Sequence, residues 1–204
     1  VPILAVDCTK CGEAVLTPLG SEIAEQASKI LLAANDLAAI AKHRTKVLAG
    51  PLSLGIIPSM QPYHIADDGR WAWKRIGPEL TRTTYPFRSL LDGKAKLALG
   101  SDWSVAPLDP LLGIKAAVTR QTLDGKNPGG WVPEEKISLE EALRAYTAGV
   151  AFANFGEQAR GMLRVGQLAD IVLLDADLFA IPAETIDQVQ VLATIMNGRL
   201  GFEK

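Results

Sequence analysis

The sequence has only two histidines, His43 and His64, too far apart to form the His-x-His or His-x3-5-His spacing from which metal sites are commonly built. Cysteine is as scarce. Cys8 and Cys11 make a single Cys-x-x-Cys with no second pair to complete a four-ligand structural zinc site, so two reduced thiols are expected ahead of a redox or zinc module, and the count excludes a disulfide framework. No charge predominates. The 21 Lys and Arg set against 23 Asp and Glu give a formal net charge of -2, which leaves neither a basic stripe for a phosphate backbone nor an acidic tail, and nucleic acid is not an expected partner. Long apolar runs are missing too: Ile30 to Ile40 is broken by Asn35-Asp36, and Val1 to Val6 lacks the basic flank of a signal peptide. The expectation is a globular protein of the cytoplasm with no membrane span. At 204 residues and 48% hydrophobic content, the chain can bury a sizeable core in one domain or a domain with an appendage.

What is present is most informative at Lys96-Leu97-Ala98-Leu99-Gly100-Ser101-Asp102-Trp103, an apolar strand that runs into a carboxylate and an aromatic ring. In parallel β/α architectures, loops converge on a ligand at the carboxyl ends of strands, so Asp102 stands where a metal could be bound or a proton taken. The competing role is a cap on the turn or helix that follows. Trp103 fits either the wall of a substrate pocket or core packing.

The rest of the pattern divides into elements. Pro2 to Val6 predicts a short strand, and Ser21 to about His43 carries apolar residues at helical spacing with Ser21 as N-cap. Lys46 to Ala49 and Gly55 to Met60 predict strands. Ile65 to Thr84 has no clean period and reads as a long loop with a helical turn. Pro86 to Leu91 predicts a short helix closed by Gly93, Ala95 to Leu99 a strand, and Asp109-Pro110 the N-terminus of a helix reaching about Leu123. Gly125 to Pro133 is rich in turn residues, and Ser138-Leu139-Glu140-Glu141 is a capping box that starts a helix toward Phe155 and accounts for both glutamates. Arg120 is expected on a solvated helix face, with a contact to the barrel or to an acidic partner as the alternative. Leu168 to Leu174 is rich in β-formers, and Val191 to Met196 leads through Asn197-Gly198, a strong hairpin signal, into Arg199 to Phe202. Asp170 and Asp175 read as strand-end or turn residues.

Taken together, Leu54-Gly55-Ile56-Ile57-Pro58-Ser59-Met60-Gln61-Pro62-Tyr63-His64, Thr84-Tyr85-Pro86-Phe87-Arg88, Leu99-Gly100-Ser101-Asp102, Asp109-Pro110-Leu111, Ala117-Val118-Thr119-Arg120, Glu141 to Thr147 and Gly161 to Asp175 occur in an order that resembles the C-terminal part of amidohydrolase family 3, the formamide-deformylase-like group of the amidohydrolase superfamily. The resemblance covers Gly55 to about Gly201. It implies an α/β fold, a partial (β/α)8 TIM barrel of the metal-dependent hydrolase type with a small C-terminal β unit, with Gly55 to Met60 as the seventh barrel strand and Lys96 to Leu99 as the eighth. The implied organisation is an N-terminal segment 1–54, a barrel portion 55–156 and a β-sandwich-type tail 157–204.

Such enzymes hydrolyse amide, formamide or related C–N bonds with a metal-activated water. On this resemblance Asp102 is the catalytic residue and metal ligand, while His64, in the Gln-Pro-x-His motif, and Trp103 contact an amide-type small-molecule substrate. Without the resemblance, His64 reads as a loop histidine bonded to the backbone. The implied cofactor is a divalent metal, zinc foremost. The sequence departs from the family, however: it has no His-x-His, and Lys42-His43-Arg44-Thr45-Lys46 stands where the family has Arg-Ile-Glu-His. One carboxylate and one imidazole fall short of the three protein ligands a catalytic zinc takes, so the isolated chain is expected not to hold the metal tightly. The chain begins at Val1 and the family pattern begins abruptly, which reads as a fragment, a processed product or an unusual start. The alternative function is a non-catalytic, truncated relative acting by association. Unpaired barrel edges predict a homo-oligomer, or pairing with the missing barrel portion, in either case.

Overall fold

The structure is a computed structural model that describes residues 57–204 together with the strands β1 (Val6–Asp7) and β2 (Val15–Leu16). Two compact units divide the chain, Val1–Leu54 and Gly55–Lys204. In the first, β1 and β2 pair antiparallel with Val6 opposite Leu16. Cys8, Cys11, the helix expected over 21–43 and the strand expected over 46–49 lie outside the described residues.

The second unit begins with β3 (Ser59–Met60), which pairs parallel with β4 (Ala98–Leu99); Ser59 stands opposite Ala98 and Met60 opposite Leu99. This is the only parallel pairing among the described residues. Both strands are shorter than the apolar runs that contain them. Between them lie α1 (Tyr63–Asp68), α2 (Trp73–Thr81) and α3 (Phe87–Asp92). Two of these helices replace the long loop expected over 65–84. The helical pattern of Trp73, Ile76 and Leu80 is interrupted there because Gly77 takes φ 78° and Pro78 follows it, kinking α2, of which no residue is buried. α3 forms where Pro86 and Gly93 bracket it.

After β4 comes α4 (Pro110–Thr119), whose start follows its sequence signal: Asp109 Oδ1 accepts from the Leu111 amide at 2.9 Å, and Pro110 takes the first position, where no donor is needed. The helix stops at Thr119, short of the expected Leu123, because Arg120 turns left-handed at φ 52°. Its carbonyl then accepts from the Trp131 amide at 2.7 Å. The Arg120 side chain is fully buried, which corrects the solvated-face expectation. Its guanidinium donates to three main-chain carbonyls, Nε to Trp131 at 2.7 Å, Nη1 to Tyr85 at 3.0 Å and Nη2 to Thr84 at 3.2 Å, and lies over the Phe87 ring. A planar fork with five donors suits three divergent carbonyls, and burial lowers the guanidinium pKa from 12.5 to about 10.

α5 (Leu139–Arg144) opens on the expected capping box, with Ser138 Oγ accepting from the Glu141 amide at 3.1 Å and Glu141 Oε2 accepting from the Ser138 amide at 2.7 Å. Glu141 also accepts from Arg88 Nη1 at 2.9 Å and Nη2 at 2.5 Å, tying α5 to α3. The helix continues through a wider π-type stretch, Ala145–Gly149, into α6 (Val150–Ala153). That stretch lies on β4, with Gly149 so close to the Leu97 carbonyl that a Cβ would overlap it.

The tail is an antiparallel sheet of β5 (Ile171–Leu174), β6 (Val191–Met196) and β7 (Arg199–Glu203), in the order β5-β6-β7. Asn197 and Gly198 both take positive φ, as the expected two-residue hairpin turn requires, and Met196 pairs with Arg199. Asp170 Oδ1 accepts from the Asn197 amide at 2.8 Å and Asp175 Oδ1 from the Gln190 amide at 2.9 Å, the strand-end roles read from sequence. A 3-10 segment, Ala183–Gln188, joins this tail to α4: Ile186 is fully buried in the core, and Lys115 Nζ donates to Asp187 Oδ2 at 2.8 Å. The core itself gathers Ile65, Phe87, Leu97, Leu99, Leu111, Ile114, Trp131 and Ala142. Sequestering side chains of this size is the main driving force for the fold, at about 1.5–3 kcal/mol for each large one.

Candidate functional site

The parallel pair sets the geometry. Ala98 N donates to Pro58 O at 2.9 Å and Gly100 N to Met60 O at 3.0 Å, so the two chains leave the ladder side by side and in the same direction. Beyond Met60, Gln61-Pro62 turns the chain at once into α1, and the His64 amide donates to the Gln61 carbonyl at 3.2 Å. Ile65 and Ala66 then enter the core, which fixes the first turn of α1. Beyond Leu99, the chain passes through Gly100 and Ser101 to Asp102, which takes φ 61°, a left-handed conformation that aspartate tolerates better than most residues.

This brings together two residues that are 38 positions apart in sequence: His64 Nε2 lies 3.2 Å from Asp102 Oδ2. An ionised carboxylate can only accept, so the Nε2–H of the imidazole is the donor. His64 is mostly buried, while Asp102 is half-exposed and keeps an oxygen open to solvent. The capping alternative for the Asp102 side chain is not what the structure shows. The Asp102 main-chain carbonyl, accepting from Val105 N at 2.8 Å and Ala106 N at 3.2 Å, closes the following turn, and the next helix is capped by Asp109. Trp103 is 70% exposed, so core packing does not explain it either.

Tyr146 stands behind the turn, a residue to which the sequence reading gave no role at the site. Its hydroxyl donates to the Gly100 carbonyl at 3.4 Å, and burial, with Asp109 nearby, pushes its phenol pKa up. Gly113 leaves the space this hydroxyl occupies, since a Cβ there would overlap it. No sequence signal marks the contact, because it depends on the packing of α4 and the π-type stretch against the strand end.

Among the described residues, no group of three or more His, Cys, Asp or Glu side chains is arranged to hold a metal ion. His64 and Asp102 are a two-donor set. A cavity of about 970 Å³ between Leu143–Asn154 and the 156–163 segment, and one of about 350 Å³ beside Lys96 and Phe152, include neither residue. The pair is reached from solvent on the side of Asp102, whose side chain is half-exposed. What the pair offers chemically is a half-exposed carboxylate beside an imidazole, with His64 Nε2 in hydrogen-bond reach of one of its oxygens.

The profile of the amidohydrolase family matches residues 39–202. The chain is 40% identical over 147 residues to Protein LONG AFTER FAR-RED 3 of Arabidopsis thaliana, an alignment covering 72% of this chain and 25% of that protein. It is 31% identical over 120 residues to N-substituted formamide deformylase of Arthrobacter pascens, covering 59% of this chain and 22% of the relative. The chain thus spans about a quarter of the length of the curated relatives it matches. An uncharacterized metal-dependent hydrolase from Pyrococcus horikoshii superposes with a TM-score of 0.56 at 28% identity, over 63% of this chain and 26% of that structure.

Proposed function

The chain belongs to the amidohydrolase family, and from that premise we propose that it is a portion of a hydrolase of C–N bonds in amide- or formamide-like small molecules, with 55–156 as part of a (β/α) barrel and 157–204 as its β tail. The observation that carries the reading is the His64–Asp102 pair at the carboxyl ends of two neighbouring parallel strands. Asp102 is the proton acceptor of the reaction. As water adds to the amide carbonyl, its proton passes to the Asp102 carboxylate; the same proton then goes to the leaving nitrogen as the C–N bond breaks, which returns Asp102 to its ionised form. His64 holds the carboxylate through its Nε2–H and borders the substrate, as does Trp103.

The family relation also points to a divalent metal, zinc foremost, as the group that would polarise the carbonyl. The described donors do not complete a site for it, since a catalytic zinc takes three protein ligands and His64 and Asp102 supply two. Asp102 is therefore proposed as one ligand of a site to which further ligands must be added.

Zinc titration of the purified chain against a competing chelator tests this. Weak uptake is expected in the wild type, weakened by about tenfold or more in Asp102→Asn. Equal affinity in the two proteins would rule out Asp102 as a ligand. A second reading, association without catalysis, is favoured by the exposed Val172, Leu173, Met196, Leu200 and Phe202 of the tail sheet, whose edges invite pairing. It predicts a concentration-dependent oligomer, measurable by sedimentation, whose formation is indifferent to Asp102→Asn.

A further inference from the structure

Asp102 lies on a segment with little of its own to hold it. Between Gly100 and Pro110 only Ala106 is buried, and the main-chain bonds inside the segment are local, from Val105 N and Ala106 N to the Asp102 carbonyl. A carboxylate on such a segment meets His64 only if the segment's ends are fixed from elsewhere. Both ends meet one side chain. Tyr146 donates its hydroxyl to the Gly100 carbonyl, two residues before Asp102, at 3.4 Å, and the same hydroxyl fills the space that Gly113 leaves on α4, the helix into which the segment runs. The hydrogen bond is long, so close packing against Gly113 supplies the rest of the hold. Burial raises the phenol pKa, which keeps the hydroxyl a donor. Tyr146 also sits in the π-type stretch Ala145–Gly149, and such widened turns are frequent at functional sites. All of these contacts fall within the unit Gly55–Lys204.

We propose that Tyr146 is the positioning residue for Asp102: its hydroxyl clamps the 100–113 segment at both ends, and the clamp holds the carboxylate against the His64 imidazole. This rests on the reading of Asp102 as the proton acceptor and deepens it. Tyr146 touches neither His64 nor the reacting atoms in this role; it acts through the main chain of Gly100 and of α4.

The NMR shifts of the His64 ring nitrogens, assigned by their loss in His64→Gln and read at about pH 9, where imidazoles are neutral, test the proposal. In the wild type the Asp102 carboxylate is expected to keep the proton on Nε2, so that the two ring nitrogens are well separated in shift; Asp102→Ala removes the acceptor and should bring them together as the tautomers mix. Tyr146→Phe, which keeps the ring and removes only the hydroxyl, is expected to move both shifts in the direction of Asp102→Ala, and Gly113→Ala, which pushes the hydroxyl aside, to do the same. Asp175→Ala removes a side-chain bond to the Gln190 amide in the tail and should leave the shifts at their wild-type values. Unchanged shifts in Tyr146→Phe, or an equal movement in Asp175→Ala, would overturn the positioning role, and so would a wild-type ring with no preference for Nε2. The zinc titration bears on Asp102 as a ligand and leaves this result as it stands, so the two readings fail separately.

Discussion

Replacing Arg120 with methionine gives the sharpest test of how this fold is held together. The guanidinium makes three hydrogen bonds to carbonyls, of which Trp131 O and Thr84 O have no other donor among the described residues, whereas Tyr85 O also accepts from the Phe87 amide at 2.9 Å. Bonds from a charged donor contribute about 1.5–3 kcal/mol each. Against their sum stands the cost of keeping a cation out of water, the main cause of the lowering of its pKa from 12.5 to about 10. Methionine fills most of the volume, removes the charge and leaves two carbonyls unpaired, so a net loss of about 3 kcal/mol is expected. For a unit of this size that corresponds to a fall in Tm of roughly 6–12 °C. Urea unfolding followed by far-UV circular dichroism measures it directly. Arg120→Lys decides the cause. Lysine keeps the charge but offers a point donor in place of a fork, and it is expected to be at least as destabilising as methionine. A lysine variant close to wild type, or a methionine variant losing less than about 1 kcal/mol, would refute the claim that the three-carbonyl fork, rather than the charge or the packing, secures this junction.

Three further outcomes follow from other contacts. The Arg88 guanidinium, which donates to Glu141, holds that carboxyl at about 2 against an ordinary 4.5, so its stabilisation is present above pH 4.5 and is lost as pH falls toward 2; Glu141→Gln, which retains the capping box, should cost about 1–2 kcal/mol at pH 7 after screening and nothing near pH 2, as read by unfolding curves at a series of pH values. Gly113→Ala drives a methyl group into the Tyr146 hydroxyl and should cost about 1–3 kcal/mol, with at least half recovered in the Gly113→Ala/Tyr146→Phe double variant by thermal melting. Ser138→Ala removes the acceptor for the Glu141 amide and should cost about 1 kcal/mol in the same assay.

Local chemistry was legible in the sequence wherever one or two adjacent residues determine it. The Asp109-Pro110 start, the Ser138 capping box and the Asn197-Gly198 turn each appear where their side chains or φ angles require. The placement of His64 and Asp102 on consecutive strand ends was legible through the family pattern, because the order of motifs encodes a parallel pair that no single motif does. Two features were not legible. Arg120 looks like any arginine at a helix end until segments 35 positions before it and 11 after it fold over its guanidinium. α2 carries Trp73, Ile76 and Leu80 at helical spacing, but the Gly77-Pro78 pair inside it reads as a break and no residue of the helix is buried.

The ladder between β3 and β4 spans only Ser59–Met60 and Ala98–Leu99, yet it sets the origin from which His64 and Asp102 are brought together. His64 stands four positions past one strand and Asp102 three past the other, so both are counted out from the same origin. Slipping the pairing by one would offset the two chains by about 3.3 Å and swap the faces of the strand. The register of this short ladder thus works like a gauge block for the two tethers that follow it.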